Sequence, residues 1–294
     1  MIAATPENMA AAHALAAVTG FAAAPIDARR FPDGETRVRA NGAAETTILV
    51  HALDHPDEKL TPLILAASAL RDLGAETIIL VAPYLCYMRQ DKAFSSGEAV
   101  SQRVIAKMLS PWIDGLVTVE PHLHRVKSLD LVFPDIRAVA LSASPVLAEM
   151  IMARGARDNT LLVGPDEEAR AWTQRTAQCA NIPYTVLSKV RHGDRTVSVS
   201  ADDKTRFAGK HVCLLDDVVS SGATLAAACR MVLDSGAASA EALVVHALCS
   251  AEDLEALRAA GLDGVRSTDT IAHVTNAGAV APLIAEALRR EFIT

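Results

Sequence analysis

The residues best suited to chemistry lie in one stretch, His211 to Leu225, which reads HVCLLDDVVSSGATL. An apolar run leads into two carboxylates, Asp216 and Asp217, and then into Ser220, Ser221, Gly222, Ala223 and Thr224. Hydroxyls, a glycine and the free N–H groups that open a helix form a cradle for an anion. The two acids cannot hold phosphate, because they repel it. They suit sugar hydroxyls, or a metal ion that bridges to the ligand. Together the set points to a phosphorylated sugar. The competing reading is a strand–turn–helix whose Ser and Asp only cap the helix. The nucleotide loop G-x-x-x-x-G-K-[ST] is absent.

Four further stretches carry reactive side chains. In VAPYLCYMRQDKAFSSGE, Val81 to Glu98, an apolar run is followed by Arg89, Gln90, Asp91 and Lys92. Arg forks onto phosphate, and Gln reads an amide or a base edge. FPDGETRVR, Phe31 to Arg39, opens on the turn signal Pro-Asp-Gly. In VEPHLHR, Val119 to Arg125, His122 and His124 follow an apolar run, as Asp166 does in LLVGPDEEAR. A neutral imidazole and a carboxylate can ligate a divalent ion, although Mg²⁺ prefers oxygen and keeps most of its waters. In SKVRHGDR, Ser188 to Arg195, Lys189 and Arg191 alternate in an extended stretch, and Gly193 and Asp194 predict a mobile hairpin. Two cations there can close over a polyphosphate and stabilise charge in a transition state. Taken alone, each of these four is equally an ordinary turn, a solvated loop or a structural histidine.

The elements that must position these groups alternate in type. Strands are expected over 47–51, 77–82, 116–119, 136–141, 160–164, 184–188, 211–215, 242–247 and 264–267. Helices are expected over 7–19, 62–73, 97–109, 145–153, 167–179, 224–233, 253–259 and 282–290. Unbroken Val/Ile/Leu runs suit parallel strands covered on both faces. Strand–helix alternation argues for an α/β protein. The pattern runs through twice, with a boundary near residues 140–146. In open parallel sheets ligands bind outside the carboxyl ends of the strands, where most of these stretches fall.

Composition narrows the classes. The 294 residues are 51% hydrophobic and 21% charged, which excludes a disordered chain and suggests two domains. Aromatic residues are only 4%, so the core is aliphatic. Lys plus Arg is 28 against 35 for Asp plus Glu, a net charge of -7. Such a chain has no global attraction for nucleic acid or an anionic membrane, and neither partner is expected. Local groups must hold any polyanionic small molecule. The cysteines at 86, 179, 213, 229 and 249 form no C-x-x-C pair, against a zinc site or a disulfide framework. Reduced thiols in a cytoplasmic protein are the expectation. No apolar run approaches the roughly 18 residues of a membrane span. No Lys or Arg precedes Arg29, and Glu7 precedes the Ala-rich stretch, against a secretory signal. No G-x-G-x-x-G follows a strand, which argues against a dinucleotide fold.

In this order and at these spacings, the five stretches resemble the ribose-phosphate pyrophosphokinases (phosphoribosyl pyrophosphate synthetases). The resemblance covers nearly the whole chain and is most specific at FPDGE, YMRQDKAF and LLDDVVSSGAT. The short length and DKAFSSGE look closer to the archaeal-like branch. The resemblance implies an α/β fold of two type I phosphoribosyltransferase-like domains related by a pseudo-twofold axis. Each has a mainly parallel sheet flanked by helices. Residues 1–143 would form the ATP side and 144–294 the ribose 5-phosphate side, with the last helix packing back on the first domain.

The implied reaction moves the diphosphoryl group of Mg-ATP to the C1 hydroxyl of ribose 5-phosphate, giving 5-phosphoribosyl 1-diphosphate and AMP. The resemblance makes Lys189 and Arg191 catalytic. Phe31, Asp33, Gly34, Glu35, Arg89 and Gln90 would bind ATP, the first four from a neighbouring subunit of a homo-oligomer that is at least a dimer. Arg191, Asp216, Asp217, Ser220, Ser221, Gly222, Ala223 and Thr224 would bind ribose 5-phosphate. His122 and Asp166 would be associated with Mg²⁺.

The chain departs from the family pattern at several positions. Glu168 stands where the family usually has glycine, which brings negative charge near an expected anion. Ala223 replaces a frequent glycine, Ser220 a frequent aspartate and Met88 a small residue. Glu168 favours the alternative of a non-catalytic regulatory paralogue, whereas Lys189, Arg191, His122, Arg89 and Gln90 favour an active enzyme. A phosphoribosyltransferase, the third alternative, would leave FPDGE and the Arg-Gln-Asp segment without a role.

Overall fold

Unbroken apolar runs can be buried on both faces only if helices cover the sheet they form. The computed structural model has this arrangement in each of two units, Met1–Leu141 with Val280–Thr294, and Ser142–Ala279. It describes residues 1–123, 125–155, 159–191, 197–201 and 203–293, with the backbone alone for 189–191 and 197–199.

The first unit contains β1 (Ile2–Ala4), α1 (Met9–Thr19), β2 (Ala23–Arg30), β3 (Thr36–Ala40), β4 (Thr46–Val50), α2 (Pro56–Asp72), β5 (Thr77–Ala82), α3 (Ser101–Leu109), β6 (Gly115–Val119) and β7 (Arg137–Leu141). Its sheet runs β3-β2-β1-β4-β5-β6-β7, parallel except for the β2–β3 hairpin. The second unit contains α4 (Ser144–Ala153), β8 (Thr160–Gly164), α5 (Arg170–Ala180), β9 (Tyr184–Val186), β10 (Ser188–Arg191), β11 (Val197–Ser200), β12 (His211–Val219), α6 (Ala223–Asp234), β13 (Ser239–Ala247), α7 (Ala251–Ala259), β14 (Val265–Thr268) and β15 (Asn276–Gly278). Its sheet runs β15-β14-β13-β12-β8-β9, parallel throughout, with β10 and β11 as a separate antiparallel pair. The last helix, α8 (Ala281–Glu291), returns to the first unit and packs on α1. Beyond it, the Phe292 ring fills the space a side chain at Gly115 would need.

Each unit has its own aliphatic core. Leu49, Leu63, Ile78, Leu80 and Leu116 anchor the first, and Leu161, Val163, Leu214, Val232 and Val244 the second. Burying one such side chain is worth about 1.5–3 kcal/mol, so these strands are held chiefly by their covering helices.

The two units repeat one strand order. Beginning from β2, the first runs β2-β1-β4-β5-β6-β7, and the second runs β9-β8-β12-β13-β14-β15. An antiparallel pair lies at the second strand of each unit: β2 itself pairs with β3 in the first, and β10–β11 follows β9 in the second. In both, the chain reverses direction across the sheet beside its first strand. These switch points lie between β1 and β4 and between β8 and β12, and parallel α/β sheets open a ligand crevice at such points.

The structure differs from the sequence expectation in three ways that bear on the site. β12 continues to Val219, so Asp216 and Asp217 lie within the strand instead of after it. The helix expected over 97–109 begins at Ser101. β1, β2 and β3 were not expected; β1 has three residues, and the outer part of the β2–β3 hairpin is polar and exposed.

Candidate functional site

At the switch point of the second unit, β8 pairs with β12 only as far as Val163 opposite Leu214. Beyond that register β12 runs on to Val219, paired with β13 alone. One edge of this extension therefore faces the crevice, and it carries Asp216 and Asp217. Both are half-buried, and the Asp217 N–H donates to Asp216 Oδ1 at 3.0 Å.

The chain then turns through Ser220, Ser221 and Gly222 into α6. Gly222 is the residue before the helix and is left-handed, at φ 71° and ψ 4°. A Cβ there would lie 2.9 Å from both Leu257 Cδ atoms, so glycine is required by backbone and by space. No side chain caps α6 among the described residues. Its first turn presents N–H groups and the positive end of the helix dipole.

The neighbouring loops of this unit are closed by their own residues. Ser250 and Asp253 form a reciprocal capping box on α7. Asp166, in the loop after β8, caps the short helix Glu167–Ala169: its Oδ1 accepts from the N–H groups of Glu168 at 3.1 Å and Ala169 at 3.3 Å. That helix packs against β12, which brings Asp166 to the same switch point as Asp216 and Asp217. The exposed Glu168 side chain lies on the turn that Asp166 caps. Lys189 and Arg191 fall on β10, opposite Val199 and Val197 of β11. Their side chains, and His124, lie outside the described residues.

The switch point of the first unit is occupied internally. Asn8 Oδ1 accepts the Ala52 N–H at 2.9 Å, and its Nδ2 donates to Thr5 Oγ1 at 2.9 Å. Lys59 Nζ donates to the Ala52 carbonyl at 3.1 Å and to Asp54 Oδ1 at 2.6 Å. The chemistry-bearing loops of this unit are displaced to β5 and β6. Backbone strain marks the carboxyl edge: His55, Tyr87, Glu120 and His122 all have positive φ and follow β4, β5 or β6. Non-glycine residues held in that region are concentrated at functional sites.

Arg89 is exposed and Gln90 half-buried in the β5–α3 loop, where Gln90 Oε1 accepts the Ser101 hydroxyl. Asp91, its side chain only 5% exposed, receives Arg125 Nη1 at 2.8 Å. This pair ties the loop of Arg89 and Gln90 to the half-buried His122 segment. The sequence carries no local signal for it, because the partners are 34 residues apart. Glu98 organises the rest of the loop: Phe94 and Ser95 donate their N–H groups to it, which holds its carboxyl below the usual range.

Phe31, Asp33, Gly34 and Glu35 form the tip of the β2–β3 hairpin. Phe31 N–H donates to the Glu35 carbonyl at 2.7 Å, Gly34 N–H to the Phe31 carbonyl at 2.9 Å, and Glu35 N–H to Asp33 Oδ1 at 3.1 Å. Gly34 takes φ 95°, which the turn requires. The Phe31 ring remains 38% exposed at the end of this rigid turn.

The buried thiols of Cys86 and Cys213 are unsuited to act as thiolates, whereas Cys179 is exposed. Burial pushes Cys86 up to about 12 and Cys213 well above its usual value, and the cysteines are free thiols. Among the described residues no three His, Cys, Asp or Glu side chains gather to hold a metal ion. Mg²⁺ needs no such cage, since it takes one or two carboxylates, substrate phosphates and water. Asp166, Asp216 and Asp217 are oxygen donors of the right chemical kind near the β8–β12 switch point, although among the described residues they do not gather into one site. Among the described residues no helix is long and apolar enough to cross a membrane.

The chain is similar to known proteins along nearly its whole length. Residues 1–112 match the N-terminal domain of ribose phosphate pyrophosphokinase, and residues 136–268 match the phosphoribosyl transferase domain. The ribose-phosphate pyrophosphokinase of Methanopyrus kandleri is 33% identical, over 98% of each chain. That of Halobacterium salinarum is 34% identical, over 94% of this chain and 96% of its own. The fold is similar to the crystal structure of phosphoribosylpyrophosphate synthetase from Mycobacterium smegmatis, with a TM-score of 0.84 and 24% identity, over 99% of this chain and 98% of that one.

Proposed function

Because the chain belongs to the ribose-phosphate pyrophosphokinase family, we propose that it transfers the diphosphoryl group of Mg-ATP to ribose 5-phosphate, giving 5-phosphoribosyl 1-diphosphate and AMP. The observation that carries the acceptor side is the left-handed Gly222 that opens α6, with two carboxylates on the strand before it.

The 5-phosphate sits on the N–H groups and hydroxyls of Ser220, Ser221, Gly222, Ala223 and Thr224. Asp216 and Asp217 take the ribose hydroxyls, or water around a magnesium ion, because carboxylates repel phosphate and accept from hydroxyls. Arg89 and Gln90 hold ATP, and Phe31 with Asp33, Gly34 and Glu35 meets the adenine of a nucleotide bound to a neighbouring subunit. His122 in the first unit and Asp166 in the second are the residues that would be associated with magnesium, Asp166 while still capping its turn. When bound, Mg²⁺ neutralises phosphate charge and polarises the transferring group.

The acceptor oxygen on C1 attacks the β-phosphorus in line. Its bond to phosphorus forms as the bond to the α–β bridging oxygen breaks, and AMP leaves with that oxygen; the hydroxyl proton passes to solvent. No covalent enzyme intermediate is needed. The chain positions two anions together and offsets charge on the transferring group. Lys189 and Arg191 supply the cationic part of that stabilisation from the β10–β11 hairpin.

Nucleotide chromatography tests the reading. AMP should accumulate in proportion to added ribose 5-phosphate and not in its absence. Accumulation of ADP, or AMP release independent of the sugar, would contradict it.

A further inference from the structure

Residues directly opposite in an antiparallel pair share a face, with Cβ atoms about 4.5–5.5 Å apart. In the β2–β3 hairpin, Arg29 stands opposite Arg37, and Asp27 opposite Arg39. The other face carries Ile26 opposite Ala40 and Ala28 opposite Val38; Ile26 and Ala40 are buried, and Val38 packs on the core of the unit. Arg29, Arg37 and Arg39 therefore project together on the outer face, where all three are exposed. Among the described residues none of the three has a carboxylate partner, whereas Arg30, on the inner face, reaches Glu58 at 3.7 Å. Like charges directly opposite destabilise a strand pair, and among the described residues no carboxylate pairs with either arginine to offset this. The Arg29 guanidinium lies 5.8 Å from the centre of the Phe31 ring, which joins the two arginines to an exposed aromatic surface.

We propose that Arg29 and Arg37 clamp a phosphate group of the nucleotide whose base lies against Phe31, an inference that rests on the reading of Phe31 above. Two guanidinium forks side by side match a tetrahedral oxyanion, and the aromatic ring beside them matches a base. A broad acidic protein surface fits less well. It would meet Asp27, Asp33 and Glu35 along the same hairpin, whereas a single phosphate fits between the two arginines.

The test is titration calorimetry on the full chain with ATP, adenosine and inorganic phosphate as separate probes. Arg37→Glu places a carboxylate opposite Arg29 and strengthens the strand pair, so a loss of binding cannot be charged to a disordered hairpin. The clamp predicts that Arg37→Glu and Arg29→Gln weaken ATP by roughly tenfold or more and leave adenosine unchanged. Equal ATP affinity in wild type and both variants overturns it. Loss of phosphate binding with ATP unaffected overturns the nucleotide assignment in favour of a free anion. A change in assembly mass with ATP unaffected overturns it in favour of acidic groups on a second copy. Phe31→Ala separates the two levels. If it weakens ATP and adenosine alike while the arginine variants do nothing, the clamp alone fails. If it changes neither, the base reading falls and the clamp with it.

Discussion

Replacing Gly222 with alanine tests the geometry of the loop proposed to hold the sugar phosphate at its most constrained point. The backbone is left-handed at φ 71°, where an L-residue costs roughly 1–2 kcal/mol. The new Cβ would also lie 2.9 Å from both Cδ atoms of Leu257 and 3.0 Å from its Cγ. Leu257 is 1% exposed and packed in the core cluster, so it cannot swing clear without moving its neighbours. Overpacking of this kind costs about 1–3 kcal/mol. The expected total is about 2–5 kcal/mol, well above an ordinary surface change. Trp172, buried in the second unit, reports urea unfolding of that unit when Trp112 of the first unit is replaced by phenylalanine. With m of about 2 kcal/mol per molar, the midpoint should fall by roughly 1–2.5 M. In a Leu257→Ala background the clash is relieved, and Gly222→Ala should then cost only the roughly 1–2 kcal/mol of the backbone. The same substitution should raise KM for ribose 5-phosphate. A loss below about 0.5 kcal/mol in both backgrounds would refute the reasoning, because neither strain nor clash would then be present.

Three further outcomes follow from single contacts. His51 is fully buried, among the described residues neither ring nitrogen has a partner, and burial lowers its pKa from 6.5 to about 4. Protonation therefore favours the unfolded state: stability from this group is flat above pH 6.5, falls as pH drops towards 4 by about 3 kcal/mol in all, and levels off below. His51→Gln should remove that part of the slope in thermal melts across this range, and an unchanged slope would contradict it. Asp91→Ala should release Arg125 and loosen the loop of Arg89 and Gln90, raising KM for ATP by roughly fivefold, about 1 kcal/mol, with KM for the sugar unchanged. Glu168→Gln should keep the Asp166 cap, which uses only the backbone N–H, and remove a charge near the acceptor loop; a roughly two- to fivefold lower KM for ribose 5-phosphate is expected by steady-state kinetics.

Much of the frame is legible in the residues because burial on both faces leaves a plain mark. Thr77–Ala82 and Thr160–Gly164 coincide with the expected strands to the residue, since their apolar runs end sharply at turns. The turn from β12 into α6 is equally plain, because Ser, Ser, Gly and Thr after an apolar run mark the start of a helix. The end of β12 is not. Aspartate is a poor strand former, and what keeps Asp216 in the strand is its pairing with Val244, a partner supplied from elsewhere in the chain. The three-residue β1 carries too little pattern to be seen. The Pro-Asp-Gly turn announced itself, but β2 and β3 did not, since charged residues occupy their outer ends. The Asp91–Arg125 pair and the Gly222–Leu257 contact join residues far apart in sequence, and only the fold brings them together. The same is true of the first unit's switch point, which Asn8 and Lys59 occupy from separate segments.

The central claim is that this chain moves the diphosphoryl group of ATP as one piece to C1 of ribose 5-phosphate, with Lys189 stabilising the transfer. A ³¹P NMR time course with ATP, Mg²⁺ and ribose 5-phosphate, run beside Lys189→Ala, measures it directly. The account predicts resonances of AMP and of a diphosphate on the sugar, growing together in the wild type, with the variant slowed by roughly 10²–10³-fold. A folded wild-type protein that binds ATP or the sugar phosphate and yields neither product would contradict it.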